Sequence, residues 1–149
     1  MPLLYLGDAE FCVGRATFHD SLPISPGRSA RVYVRVAVSG MDEPFLALLD
    51  TGAEWSVLAR EIAEEIGLLD ADGHVITLRH KDGSTPGKLV RTTVTMLADE
   101  GTALDVDATV FIPDGEWPGS RNFIGYSGLL EKVRLGLDPQ NNDVYFGGY

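Results

Sequence analysis

The chain has 149 residues, the size of one domain, and at 44% hydrophobic and 23% charged it has the apolar mass for a core, which excludes a disordered chain. Twelve Lys and Arg against 22 Asp and Glu leave a net charge of −10, without the clustered cations that nucleic acid requires, so no such partner is expected. The longest purely apolar run, Phe45 to Leu49, is far below the about 20 residues of a spanning helix, no leader pattern opens the chain, and Cys12 has no disulfide partner, so the expectation is a cytoplasmic domain outside the membrane.

Segment 8–30 is irregular, with Pro23, Pro26, Gly27 and Ser29 near its end. Residues 1–30 read as an N-terminal arm or extra hairpin ahead of a domain over 31–149. In 31–38, Val32, Val34, Val36 and Val38 share one face and Arg31, Tyr33 and Arg35 the other, which is the period of a half-buried strand. Residues 45–49 are apolar on both faces, as in a strand buried on both sides. From Val57, Leu58, Ile62 and Ile66 recur at helical spacing, with Ser56 as N-cap and Gly67 as the stop. Residues 89–97 alternate as well. Leu104, Val106, Ala108, Val110 and Ile112 alternate in turn, with Asp105, Asp107 and Thr109 facing out. A second helical stretch of one or two turns falls at about 126–132. Turn chemistry separates the runs at Asp82-Gly83, Asp99-Glu100-Gly101, Pro113-Asp114-Gly115 and Asp138-Pro139. Many short strands between such turns predict an all-β barrel or sandwich.

One carboxylate stands out. Asp50-Thr51-Gly52 follows Phe45–Leu49 directly, which places Asp50 on a turn at the end of a buried strand. A carboxylate held rigidly and partly desolvated there has a raised pKa and suits proton transfer. The tripeptide alone is weak, since chance supplies it in roughly one chain of this length in thirty, and a turn-capping Asp is then the simpler reading. Other patterns carry less. Asp105-Val106-Asp107-Ala108-Thr109 has the Asp-x-Asp-x-Thr spacing of a phosphatase nucleophile, but strand alternation explains it and too little chain follows for an α/β fold. Gly125-Tyr126-Ser127-Gly128 has Leu129 where a nucleophile elbow needs its second glycine. His19, His74, His80 and Cys12 show no metal-ligand spacing, so neither a metal nor another cofactor is expected.

The wider segment sharpens the reading. Leu48-Leu49-Asp50-Thr51-Gly52-Ala53-Glu54-Trp55-Ser56-Val57-Leu58 resembles the active-site segment of retropepsin-like aspartic proteases. That pattern is two apolar residues, Asp-Thr-Gly-Ala, two variable positions, Ser or Thr, then two apolar residues. The helix ending at Gly67-Leu68 resembles the cellular and bacterial members more than the viral ones. Asn122-Phe123-Ile124-Gly125, followed by Leu129-Leu130, resembles the apolar-apolar-Gly element that runs under the catalytic loop into a short helix. The resemblance covers about 31–147.

It implies a closed β-barrel with one short helix after the active-site loop and a second near the C-terminus. It also implies an aspartic endopeptidase that hydrolyses a peptide or protein substrate with a water activated by two Asp carboxylates. Asp50 is then the catalytic residue and Thr51, Gly52 and Ala53 its loop, with Thr51 bonding across a dimer and the Gly52 backbone near substrate. A flap, the hairpin over 75–97, would close over the peptide with its tip at 81–87, Asp82, Gly83, Ser84 and Thr85 at its centre. An ordinary hairpin has the same signature, and Pro86 would stiffen this one. Since the chain has one Asp-Thr-Gly, the second Asp50 must come from a second copy, making a C2 homodimer with Val144-Tyr145-Phe146 as the contributor to a shared sheet. Two other readings stand beside this one: a dimeric, non-catalytic peptide-binding or scaffolding module of the same fold, and a β-barrel whose Asp-Thr-Gly is fortuitous.

Overall fold

The computed structural model describes residues 4–21, 31–116 and 121–149. It opens with three short strands, β1 (Leu4–Leu6), β2 (Ala9–Cys12) and β3 (Gly14–Thr17), the first two forming a hairpin. Of the expected arm, 1–3 and 22–30 lie outside the described residues. Next come β4 (Tyr33–Val38), β5 (Phe45–Leu49), β6 (Ser56–Val57) and a helix α1 (Arg60–Glu65). β7 (His74–His80) and β8 (Gly83–Met96) form a long hairpin, followed by β9 (Glu100–Gly101), β10 (Leu104–Pro113) and β11 (Phe123–Ile124). β12 (Val133–Asp138) and β13 (Asp143–Gly148) complete the chain.

Six strands close on themselves. Neighbours run β10, β6, β11, β5, β4 and β8, and β8 pairs back with β10 over ten residue positions, Leu104 opposite Met96 through Pro113 opposite Gly87. β7 is attached outside this ring, to β8 alone. Closure removes the open edges that a flat sheet of these strands would expose. The inward positions of the alternating strands fill the barrel: Val34, Val36 and Val38 from β4, Val90, Val94 and Met96 from β8, and Val106, Ala108, Val110 and Ile112 from β10 are all buried. Each Val, Ile or Met among them contributes about 1.5–3 kcal/mol when fully withdrawn from water. In β5, Phe45, Ala47 and Leu49 join that core, while Leu48 points to the other side, where it is also buried. A smaller cluster of Val57, Leu78 and Phe111, with Trp55, Ile76, Leu89 and Phe123 against it, fastens the β7–β8 hairpin to the barrel wall.

Several expectations need correction. Tyr33, expected on the outward face, is 3% exposed, because the N-terminal segment covers it: His19 and Tyr33 exchange both backbone hydrogen bonds, at 2.9 and 2.8 Å. The helix begins at Arg60 rather than Val57, since Val57 is paired with Phe111 and Leu58 N donates to Phe111 O. Its N-cap position is Ala59, and Ser56 is a buried strand residue. Gly67 does follow the helix with a φ of 75°. The second helix is one 3-10 turn, Leu130–Lys132. The residues before it are committed elsewhere: Tyr126 N and Ser127 N bond to Ala53 O and Glu54 O, and Gly128 has a φ of 73° against Thr109. Val144, Tyr145 and Phe146 have both ladders filled, by β12 on one side and β3 on the other, so β13 is no open edge for a partner's strand. Among the described residues no helix is long and apolar enough to cross a membrane.

Candidate active site

Asp50 stands where β5 stops. β5 and β11 run parallel, Leu48 beside Phe123 and Leu49 beside Ile124, and Asp50 N continues the ladder by donating to Ile124 O at 2.9 Å. The chain then turns back, with Ala53 N donating to Asp50 O at 3.1 Å. Gly52 N donates to Asp50 Oδ1 at 2.9 Å, a local bond that sets the rotation of the carboxylate. Among the described residues Oδ2 has no protein donor. Asp50 and Ala53 are half-buried, and Thr51 and Gly52 are exposed on the turn.

Phe123, Ile124 and Gly125 lie directly against this loop. Gly125 N donates to Ser56 Oγ at 2.9 Å, and both groups are buried. A Cβ on Gly125 would sit 2.4 Å from the Trp55 carbonyl carbon and oxygen, so no larger residue fits without moving backbone. Asn122 Oδ1 accepts from Ala59 N at 2.8 Å, tying the segment before β11 to the start of α1. The loop is thereby bonded to the 122–127 segment from Asp50 to Ala59. Neither Ser56 nor Asn122 was legible as an acceptor, because each partner is more than 60 positions away.

In front of Asp50 opens a cleft of about 770 Å³. Leu48, Trp55, Val57 and Phe123 supply apolar lining. The β7–β8 hairpin reaches the same cleft through Leu78, Arg79, His80, Lys81 and Asp82. Its turn is shorter than expected. Only Lys81 and Asp82 connect the strands, His80 pairs with Gly83, and Ser84, Thr85, Pro86 and Gly87 already belong to β8. Gly83 permits this with a φ of 134°, and His80 Nε2 and Thr85 Oγ1 hydrogen-bond across the strands at 2.9 Å. Of the four residues expected at the tip, Asp82 lines the cleft, whereas Gly83, Ser84 and Thr85 do not. Before Gly87, β8 pairs with β7 alone, so the last part of the hairpin is a two-stranded extension beyond the barrel.

The competing patterns have structural explanations. Asp105 and Asp107 are exposed on β10, where Asp105 accepts from Thr95 Oγ1 and Asp107 pairs with Arg91. That guanidinium holds the Asp107 carboxyl below the usual carboxylate range. His19 bridges Tyr33, His74 and His80 sit at opposite ends of β7, and Cys12 is buried at the end of β2.

The family model for aspartyl proteases matches residues 34–138. The chain belongs to that family. The match spans the barrel strands, the Asp50 loop and the hairpin. The crystal structure of a retropepsin-like aspartic protease from Rickettsia conorii aligns over 91% of this chain and 99% of its own, with a TM-score of 0.57 and 16% identity. At that identity the likeness shows a shared retropepsin-like fold. No curated protein matches the chain.

Proposed function

We propose that the chain is an aspartic endopeptidase whose active centre forms in a homodimer, from the Asp50 carboxylates of two copies. The observation that carries the reading is Asp50 itself, oriented by the Gly52 amide beside a peptide-sized cleft in a chain with one Asp-Thr-Gly. Two facing carboxylates share a proton, because both cannot ionise at close range. The ionised one takes a proton from the attacking water while the other protonates the scissile carbonyl oxygen. Collapse of the tetrahedral intermediate breaks the C–N bond, and the proton gained from water passes to the leaving nitrogen. The half-buried position of Asp50 leaves it reachable from the cleft, and the exposed Thr51 suits a hydrogen bond to a second copy at the base of the pair. The β7–β8 extension serves as the flap, limiting water near the scissile bond to the attacking molecule. Residues 31–149 form the catalytic unit in this reading, with β3 of the N-terminal segment paired to its β13. The shared sheet must use an edge other than β13.

The test is Asp50→Asn. It should keep the fold and the sedimentation of wild type yet lose peptide-library cleavage by several orders of magnitude. Adding excess Asp50→Asn to a fixed amount of wild type, with subunit exchange, should collapse activity, since most wild-type chains then sit in pairs with one carboxylate. Retained cleavage in Asp50→Asn, or full activity from a sedimenting monomer, would overturn the proposal. Peptide binding by a wild type that cleaves nothing would favour the non-catalytic module.

A further inference from the structure

The charge around the cleft runs against that of the chain. The whole sequence carries −10, yet four of its twelve Lys and Arg line the cleft, with only three of its 22 Asp and Glu. Arg79 and Lys81 come from the hairpin, and Arg31 and Arg121 from the segments entering β4 and β11. The three carboxylates are Asp50, Glu54 and Asp82. In the endopeptidase reading, Asp50 shares a proton with its counterpart, which lowers the negative charge at the centre further. Among the described residues the ion pairs belong to Arg15, Arg35 and Arg91, and none of the four cleft cations is in one. Arg31, Arg79 and Lys81 are exposed, Arg121 half-buried. These cations are therefore available to a ligand.

We propose that this cleft selects acidic peptides, in which Asp or Glu flanks an apolar residue. The apolar side chain rests on Leu48, Trp55, Val57 and Phe123, and the flanking carboxylates meet Arg79, Lys81, Arg121 and Arg31. The inference rests on the cleft being the peptide site of the proposed protease. Three parts of the chain far apart in sequence converge with the same sign of charge on an otherwise anionic surface. At close range, inside the roughly 8–10 Å screening length, those cations dominate what a bound peptide feels, although the distant surface repels it. One exposed ion pair changes affinity by about two- to five-fold, so two engaged together give a preference of roughly tenfold.

The experiment uses peptide pairs with one apolar core, flanked by Glu in one member and Lys in the other. Cleavage is read as kcat/KM on the full chain in 0.05 M and 1 M salt, and binding by fluorescence anisotropy on Asp50→Asn. Acidic peptides should be preferred about tenfold at low salt, and the preference should shrink at 1 M. In Arg79→Glu/Lys81→Glu, both changes on exposed hairpin positions, the ratio should invert. Circular dichroism of that variant checks that the hairpin remains folded, and Arg121→Glu supplies an independent second site. Cleavage without charge preference, or a preference that persists at 1 M salt and in both charge-reversed variants, overturns this inference and leaves the protease reading standing. Charge-selective binding by a chain that cleaves no peptide supports the inference and overturns the protease reading.

Discussion

Replacing Gly125 with alanine tests whether the Asp50 loop is held from below. The new Cβ would lie 2.4 Å from Trp55 C and O and 2.7 Å from Ser56 N. All three are backbone atoms, so no side chain can swing aside, and β6 and β11 must move apart. Overpacking of this kind costs about 1–3 kcal/mol. Parting the strands also stretches the buried Gly125 N to Ser56 Oγ bond of 2.9 Å, adding about 1 kcal/mol. The expected loss is about 2–4 kcal/mol, which in a domain of this size lowers Tm by roughly 5–15 °C. Ser56→Ala isolates the hydrogen-bond component by leaving a buried N–H without its acceptor, at about 1–3 kcal/mol. Because both changes act through one contact, the double variant should be less destabilised than the two effects added. Urea unfolding, followed by circular dichroism and by tryptophan fluorescence with Trp55 at the contact, measures each. A Gly125→Ala protein within about 0.5 kcal/mol of wild type would refute the reasoning, since the backbone would then have room to spare.

Other consequences follow from the same geometry. If two Asp50 carboxylates share a proton, kcat/KM should trace a bell against pH with an acidic optimum, and a rate that climbs steadily to pH 9 would contradict the dyad. Lys88 Nζ donates to Leu69 O at 2.6 Å and to Ala71 O, so Lys88→Met, which keeps the apolar stem, should lose about 1–2 kcal/mol in urea unfolding; an unchanged midpoint would show that water serves those carbonyls equally well. Asp107 has a lowered pKa from its bond to Arg91, so its stabilising effect is present above the unfolded carboxylate pKa and is lost as pH falls through the depressed folded value. Arg91→Gln should return the Asp107 NMR titration towards the ordinary range, and a midpoint that stays put would refute that cause.

Much of the barrel was legible because a strand's period of two is a local signal. Val34, Val36 and Val38, and Val106 through Ile112, point inward as their alternation predicts. Tyr33 broke the pattern because what covers it, the His19 bridge, comes from another part of the chain. Ser56 had the spacing of an N-cap, yet its hydroxyl serves Gly125, a partner that no local pattern announces. The alternation of 89–97 and the resemblance together pointed to the hairpin, but its turn was misplaced: Gly83 closes it three residues after His80, while Pro86, opposite Thr77, does not break the strand. Asp50 was legible through the residues around it, not through its own triplet. The cations of the cleft were not, since Arg31, Arg79 and Arg121 come to line one cleft only once the barrel closes.

The pairing of β5 with β11 also imposes an order on the chain's maturation. Hairpins such as β4–β5 and β7–β8 join adjacent segments and can close early, with little loop entropy to overcome. The Asp50 loop has to wait. Its braces arrive 63 positions after Ala59 and 69 after Ser56, when all but two strands have been laid down. A nascent or truncated chain lacking residues 122–127 therefore carries the carboxylate without the framework that aims it. In the endopeptidase reading, competence to cut is among the last properties the polypeptide acquires, and the long-range closure of its own barrel acts as the timer.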